Sequence, residues 1–143
     1  MAVNWHPAPS DTLDARASGP TVLILDDEPS ARGALVRMLQ LRGYEVVETG
    51  TVEDAIGVLE ESAIDAAVLD VRIPGGSGLD VLKPLRHHLE LKKIPVLVWT
   101  GSLLSEDEEW AITRHGAHLF QKPEGLRTLV NFLDQLLDRD KPS

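Results

Sequence analysis

Five side chains that can do chemistry stand directly after short apolar segments of the sequence. Asp26 and Asp27 follow the segment TVLIL, and Asp70 follows DAAVL. Thr100 follows PVLVW, and Lys122 follows AHLFQ. If these segments are neighbouring parallel strands, their carboxyl ends meet at one edge of a sheet, where ligands of such sheets bind. Three carboxylates, one hydroxyl and one ammonium are therefore expected to converge there.

This set of groups suits phosphoryl chemistry. Clustered carboxylates repel one another unless protons or a cation intervene. Their hard oxygens suit Mg²⁺, which keeps free coordination positions for phosphoryl oxygens. A carboxylate can also attack phosphorus and form an acyl phosphate. Lys122 can then supply positive charge to the phosphoryl oxygens, and Thr100 a hydrogen-bond donor, so the set is chemically complete for accepting a phosphoryl group.

Alternating strand and helix patterns are expected to position these residues. The predicted strands cover residues 21–25, 45–48, 65–69, 95–99 and 117–121. Pro29 suits the first turn of a helix, and Gly43 and Gly116 suit helix ends. Ser105 and Glu108 have the spacing of a capping box. Five strand–helix repeats predict an α/β fold with a doubly wound, five-stranded parallel sheet and helices on both faces.

The composition indicates one globular domain. The chain has 143 residues, 43% of them apolar and 26% charged, which is enough for a buried core. Its net charge of −9 disfavours nucleic acid and anionic membranes as partners. The absence of cysteine excludes disulfides and thiolate ligands. Residues 1–20 are predicted to be a flexible tail, 21–138 the domain, and 139–143 a polar tail.

Five motifs in order resemble the receiver domain of two-component response regulators, over about residues 21–137. They are LDDEP at 25–29, LDVRIPGGSG at 69–78, VWTG at 98–101, GA at 116–117 and KP at 122–123. Each motif is weak alone, but their order and spacing form a strong signal. The resemblance implies a flavodoxin-like (βα)5 fold of the single-domain, chemotaxis-regulator-like type.

The resemblance also implies a role for each acidic residue. Asp70 corresponds to the phosphoacceptor. Asp27 corresponds to a direct ligand of Mg²⁺ (or Mn²⁺), and Asp26 to a partner that acts mainly through water. Asp70 and the backbone carbonyl of Arg72 complete the expected protein ligands.

Other positions correspond to the switch and tuning residues of the family. Thr100 corresponds to the switch hydroxyl and Lys122 to the lysine that pairs with the phosphoryl group. Arg72 and Ser102 stand where the family tunes hydrolysis of the acyl phosphate. The resemblance further implies a cis peptide bond between Lys122 and Pro123.

The sequence departs from the family at the aromatic switch. The usual aromatic position, three residues before the lysine, is Leu119, and Phe120 comes one residue later. Either Phe120 serves as the aromatic through a local shift, or Leu119 occupies the position and the switch is altered. The interpretation preferred here is that Phe120 packs inward and the aromatic switch is weakened.

The function expected from the resemblance is that of a stand-alone cytoplasmic receiver. It would take a phosphoryl group from a histidine kinase or histidine phosphotransfer protein and then bind a downstream protein target, as a monomer or weak homodimer. It would not be an enzyme beyond its own phosphorylation and dephosphorylation, and neither nucleic acid nor membrane is an expected partner. Two alternatives remain: a phosphorylation-independent adaptor of receiver shape, and an aspartyl-phosphate phosphohydrolase.

Overall fold

The computed structural model describes residues 3–6, 19–122 and 125–137. The strands in these ranges are β1 (Asn4–His6), β2 (Thr21–Leu25), β3 (Glu45–Thr49), β4 (Ala66–Leu69), β5 (Arg72–Ile73), β6 (Gly76–Ser77), β7 (Val96–Thr100) and β8 (His118–Gln121). The helices are α1 (Pro29–Leu41), α2 (Val52–Glu61), α3 (Leu82–His87), α4 (Glu106–Arg114) and α5 (Leu126–Leu136), with a 3₁₀ helix at Gly78–Val81 before α3.

The main sheet confirms the predicted doubly wound arrangement. Within the described ranges its strand order is β1-β3-β2-β4-β7-β8, and every pairing from β3 to β8 is parallel. Leu25 lies opposite Leu69, and Leu69 lies opposite Val98. Because the strands are in step, the residues that follow β2, β4 and β7 meet at one edge of the sheet. β5 and β6 form a separate small hairpin just after β4.

Helices cover both faces of this sheet, as predicted. On one face α2 and α3 bury side chains that include Leu59 and Leu85. On the other face α1 and α5 bury Leu35 and Leu133. β2 is covered on both faces, so all five of its residues are buried, as its unbroken apolar sequence predicted. None of the helices in the described ranges is long and apolar enough to cross a membrane.

The prediction of a flexible tail at residues 1–20 is wrong for residues 4–6. They form β1, which pairs antiparallel with β3 and adds a sixth strand to the predicted five. The indole Nε1 of Trp5 donates to Glu45 at 3.1 Å, and His6 pairs with Glu48. β1 covers backbone groups that β3 would otherwise expose at the sheet edge. Three residues are too few to show the alternation by which a strand is recognised. The rest of both tail predictions falls mainly on residues 1–2, 7–18 and 138–143, which lie outside the described ranges.

Local signals predicted several element ends correctly. Gly43 and Gly116 have φ values of 88° and 68°, a left-handed conformation that suits the ends of α1 and α4. The capping box of Ser105 and Glu108 opens α4 with both reciprocal hydrogen bonds. The third helix is short: a 3₁₀ helix comes first, and α3 has only 6 residues, with Pro84 in its first turn.

Candidate acidic active site

Backbone hydrogen bonds fix the acidic residues at the edge of the sheet. Asp26 N–H donates to the carbonyl of Thr49 at 3.2 Å, and Asp70 N–H donates to the carbonyl of Leu25 at 2.8 Å. Asp26 and Asp70 are only 2% and 7% exposed, whereas Asp27 is exposed. One carboxylate oxygen from each of the three residues lies within 4.8 Å of the others. The structure therefore brings together the three predicted carboxylates.

Lys122 supplies the positive charge among these carboxylates. Its Nζ lies 2.8 Å from Oδ2 of Asp26, 2.8 Å from Oδ2 of Asp70 and 3.2 Å from Oε1 of Glu28. The same atom stands 5.2 Å from the centre of the Trp99 ring, at the distance of a cation–π interaction. The Lys122 side chain is 6% exposed, so its charge is desolvated and acts on its neighbours with little screening.

The pKa values of Lys122 and Asp26 are both raised, which favours the charged form of Lys122 but the neutral form of Asp26. Burial disfavours ionised Lys122, but its hydrogen bonds and charge interactions with Asp26 and Asp70 outweigh burial and raise its pKa. Burial raises the pKa of Asp26 above its ordinary value, with a smaller contribution from the charge of Asp70. The hydrogen bonds from Lys122 and from Glu28 N–H offset that rise only in part. One ammonium is thus shared among several carboxylates, and the site keeps an excess of negative charge.

The oxygen set fits a small divalent cation. Mg²⁺ holds oxygens at about 2.1 Å, so two ligands on opposite sides of the ion stand about 4.2 Å apart. The three carboxylates are close to that spacing, and hard anionic oxygens are the donors that Mg²⁺ prefers. Asp26 and Asp70 each present one oxygen to Lys122, so the ammonium and a metal ion would share the same carboxylates.

A glycine supports the floor of the site. Gly78 begins the 3₁₀ helix after the β5–β6 hairpin, and its N–H donates to the carbonyl of Val71 at 2.9 Å. A Cβ at this position would lie 1.7 Å from the carbonyl oxygen of Asp70. No atom fits at that distance, so only glycine lets this turn pack directly on the backbone of Asp70.

Thr100 and Ser102 lie beside the site at the end of β7. Thr100 is fully buried, and its Oγ1 accepts a hydrogen bond from Ser102 N–H at 3.2 Å. Its carbonyl accepts from the N–H of Lys122 at 2.9 Å, which ties the end of β7 to the residue after β8. The predicted switch hydroxyl and the predicted lysine are therefore connected through the backbone.

The side chain of Arg72 is bound to α4. Its guanidinium pairs with the carboxylate of Glu108 and donates to the carbonyl of Leu103 at 2.7 Å. The hydrogen bond from Arg72 is the main cause that lowers the pKa of Glu108, to about 2. Sequence reasoning assigned Arg72 to the phosphoryl site but gave Glu108 only a capping role. Contacts across 36 residues leave no local signal in a sequence.

The two candidate switch residues lie on opposite faces of β8. Phe120 is half-buried and packs toward α5, with its ring centre 5.6 Å from that of Phe132. Leu119 is 37% exposed and lies opposite Val98, which packs with Ile112 of α4. Phe120 therefore packs inward, and the residue of β8 that faces α4 at this position is aliphatic.

One prediction that stays untested and one residue that was not predicted complete the description of the site. The peptide bond between Lys122 and Pro123 falls on residue 123, which the structure does not describe, so its cis geometry remains a prediction. Glu28, which sequence reasoning did not assign, approaches Lys122 at 3.2 Å. Its place in the LDDEP motif, directly after two assigned aspartates, was the available signal.

Comparison with known proteins agrees with this geometry. The sequence profile of the response regulator receiver domain matches residues 22–134. The probable transcriptional regulatory protein TcrX of Mycobacterium tuberculosis is 36% identical over 119 residues, which cover 83% of this chain and 50% of TcrX. Protein PilH of Pseudomonas aeruginosa is 25% identical over 116 residues, covering 81% of this chain and 96% of PilH. The chain spans about half the length of several curated relatives that it matches, TcrX among them.

A solved structure gives the same fold. The receiver domain of the sensor histidine kinase PA1611 from Pseudomonas aeruginosa superimposes with a TM-score of 0.73 at 23% identity, covering 84% of this chain and 98% of that one. That structure holds a magnesium ion coordinated in its active site cleft. At this level of identity, the likeness establishes the shared fold.

Proposed function

The chain belongs to the response regulator receiver family, and we propose that it accepts a phosphoryl group on the carboxylate of Asp70. The observation that carries the proposal is the convergence of three carboxylates and one buried ammonium at a single edge of the sheet. The donor is a phosphohistidine on a histidine kinase or phosphotransfer protein. An Asp70 oxygen forms the new O–P bond as the N–P bond of the phosphohistidine breaks, and the electron pair of that bond returns to the imidazole.

Lys122 and the neighbouring carboxylates have separate tasks in this reaction. Lys122 Nζ already bonds to Asp70, so it is placed to neutralise charge on the incoming phosphoryl oxygens. Val71 N–H donates to Oδ1 of Asp70 at 2.6 Å and orients the carboxylate. Asp26, Asp27 and Asp70, with the backbone carbonyl of Arg72, would hold Mg²⁺, which supplies positive charge to the phosphoryl oxygens. The chain catalyses its own phosphorylation and dephosphorylation only.

Phosphorylation is expected to be read at the surface formed by α4, β8 and α5. A groove of about 500 Å³ lies there, lined by residues that include Ile112, Leu119 and Phe132. Trp110 of α4 is 63% exposed, so it is available to a protein partner. Thr100 ends β7, the strand between β4 and β8 in the sheet, and would move toward the phosphoryl group. Because Leu119 faces α4, the change proceeds without a rotating aromatic side chain at that position.

The partners proposed for this chain are proteins. α1 is the proposed docking side for the phosphodonor, and a downstream target protein binds the α4–β8–α5 surface. Single-domain action is supported by PilH, whose length the chain covers almost completely. Location in the cytoplasm, as a monomer or weak homodimer, belongs to the same proposal.

The proposal is tested by labelling with a phosphodonor. Wild-type protein with Mg²⁺ and a radiolabelled small phosphodonor is expected to take up acid-stable, base-labile label, as an acyl phosphate does. Asp70→Asn is expected to lose all label because its amide cannot attack phosphorus. Removal of Mg²⁺ by a chelator is expected to have the same effect on the wild type.

Asp107→Asn provides the matched control, because it also removes one carboxylate but from the exposed first turn of α4. It should label like the wild type. Undiminished label on Asp70→Asn would overturn the assignment. Target binding by Asp70→Asn that equals binding by the phosphorylated wild type would favour the phosphorylation-independent adaptor.

A further inference from the structure

Arg72 joins the segment that follows Asp70 to the start of α4. Its two terminal nitrogens bond to the two carboxylate oxygens of Glu108, with Nη2 at 2.9 Å from Oε1. Nη2 also donates to the carbonyl of Leu103 at 2.7 Å. Such a forked pair fixes both distance and orientation. One side chain thus connects three pieces: the turn after β4, the loop after β7, and α4.

Glu108 is also part of the structure that begins α4. Its Oε1 accepts from Ser105 N–H at 2.8 Å, and its own N–H donates to Ser105 Oγ at 3.1 Å. The capping box and the ion pair therefore use the same carboxylate. A displacement of Arg72 from Glu108 removes a bond from the first turn of α4 without breaking the capping box.

A phosphoryl group on Asp70 would compete for the same guanidinium. Arg72 is two residues after Asp70, and the charge of Asp70 already acts on it. A phosphoryl group brings more than one negative charge and three acceptor oxygens. The guanidinium fork matches phosphoryl and carboxylate geometry equally well. The present pair is half exposed on the Arg72 side, and ion pairs exposed in this way are weak.

We propose that Glu108 is a positioning residue for Arg72, and that a phosphoryl group on Asp70 draws Arg72 away from Glu108 and Leu103. The first turn of α4 and the loop that precedes it are then released. The inference rests on the proposed function of Asp70 and adds the contact by which phosphorylation reaches α4. It assigns to Glu108 a role in the reaction besides helix capping.

The test uses beryllofluoride with Mg²⁺ as the phosphoryl mimic. Glu108→Gln removes the ion pair, while glutamine still accepts the capping hydrogen bond from Ser105 N–H. Because Arg72 loses its competing partner, beryllofluoride is expected to bind about threefold more tightly, the size of one exposed ion pair. Amide hydrogen exchange at residues 103–109 of the free variant is expected to rise toward the level of the beryllofluoride-bound wild type.

Two further variants separate this mechanism from a general charge effect. Glu106→Gln removes the same charge from an exposed position in the same turn, so it should leave both readouts at the wild-type level. Arg72→Gln should bind beryllofluoride more weakly, and adding Glu108→Gln to it should have no further effect on affinity, because the competing cation is gone.

The outcomes distinguish this inference from the proposed function. The role of Glu108 would be overturned if Glu108→Gln and Glu106→Gln bound beryllofluoride with equal affinity. It would also be overturned if Glu108→Gln had its full effect on affinity in the Arg72→Gln background. Either result would leave Asp70 as the phosphoacceptor. A wild type that shows no response to beryllofluoride with Mg²⁺ would instead overturn the function proposed for Asp70, and the inference with it.

Discussion

Two clusters in the part of the chain that the structure describes contain buried carboxylates, and they differ in charge balance. At the acidic site, Lys122 is shared among Asp26, Asp70 and Glu28. Near the amino end of β3, the buried Asp134 of α5 pairs with Arg42 and accepts a hydrogen bond from the hydroxyl of Tyr44 at 2.6 Å. Three carboxylates share one cation in the first cluster, whereas one carboxylate has a cation and a hydroxyl donor in the second.

This difference separates a site built for a ligand from a contact built for stability. The Asp134 cluster satisfies its charge internally and ties α5 to the chain after α1. The acidic site leaves negative charge unbalanced, which costs free energy of folding until a cation binds. Burial of an aspartate is therefore a poor guide to function, while the ratio of carboxylates to cations around it is a good one. Three substitutions test this contrast.

The largest effect is expected from Gly78→Ala, which disturbs the acidic site through packing alone. The new Cβ would lie 1.7 Å from the carbonyl oxygen of Asp70, so the turn must move away from β4. We expect the free energy of unfolding to fall by about 3 kcal/mol or more and phosphorylation to be impaired, because the overpacking is relieved only by displacing the backbone of the turn. Urea unfolding and phosphodonor labelling measure the two effects.

Gly57→Ala is the control for this substitution. Gly57 lies inside α2, and a Cβ there meets no atom within 4 Å. Alanine at this position should stabilise the protein by about 0.5–1 kcal/mol, because it reduces the freedom of the unfolded chain. A Gly78→Ala variant as stable as the wild type would show that the turn does not need its close contact with Asp70.

A smaller loss of stability is expected from Asp134→Asn, in the cluster where one carboxylate has a cation and a hydroxyl donor of its own. The substitution keeps the shape of the side chain but removes the charge that Arg42 faces and weakens the acceptor of Tyr44. We expect a loss of about 2 kcal/mol in the free energy of unfolding, the usual size for a buried hydrogen bond to a charged group. Phosphodonor labelling should not change.

Tyr44→Phe is the matched variant, since it removes only the hydroxyl donor and should cost about 1 kcal/mol. A stability change below about 0.5 kcal/mol for Asp134→Asn would remove the contrast between the two clusters.

The smallest effect, with the opposite sign, is expected from Asp26→Asn in protein free of metal. Burial raises the pKa of Asp26 in the folded state, so ionised Asp26 costs free energy of folding at neutral pH. We expect Asp26→Asn to raise the free energy of unfolding by about 1 kcal/mol at pH 7. The destabilisation by ionised Asp26 has its full size above the raised pKa of Asp26 in the folded state. It disappears as the pH falls through that pKa toward the ordinary value of 3.8. Urea unfolding at several pH values without Mg²⁺ follows the gain and its loss.

Addition of Mg²⁺ should reverse the order of stability, because the wild type keeps a ligand that Asp26→Asn lacks. If Asp26→Asn is less stable than the wild type at pH 7 without metal, the acidic site is already balanced by Lys122, and the comparison with Asp134 fails.

The sequence by itself determined the class of fold and four members of the acidic site, which are Asp26, Asp27, Asp70 and Lys122. It did not assign Glu28, which the structure adds to them. The apolar segments before Asp26, Asp70 and Thr100 predicted strands, and the alternation with helices made them parallel, so their ends had to meet. Pro29, Gly43 and the Ser105 capping box located helix ends because those signals act within one turn of the chain. Periodicity and local turn chemistry are short-range properties, and a sequence displays them directly.

Only the tertiary structure decided the contacts between distant segments. It placed β1 at the edge of the sheet, paired Arg72 with Glu108, and put Phe120 and Leu119 on opposite faces of β8. It also paired Asp134 with Arg42 and placed Asp70 among further carboxylates around Lys122, although both are buried aspartates. These outcomes depend on which charges and side chains come together after folding, and no local pattern of the chain encodes those neighbours.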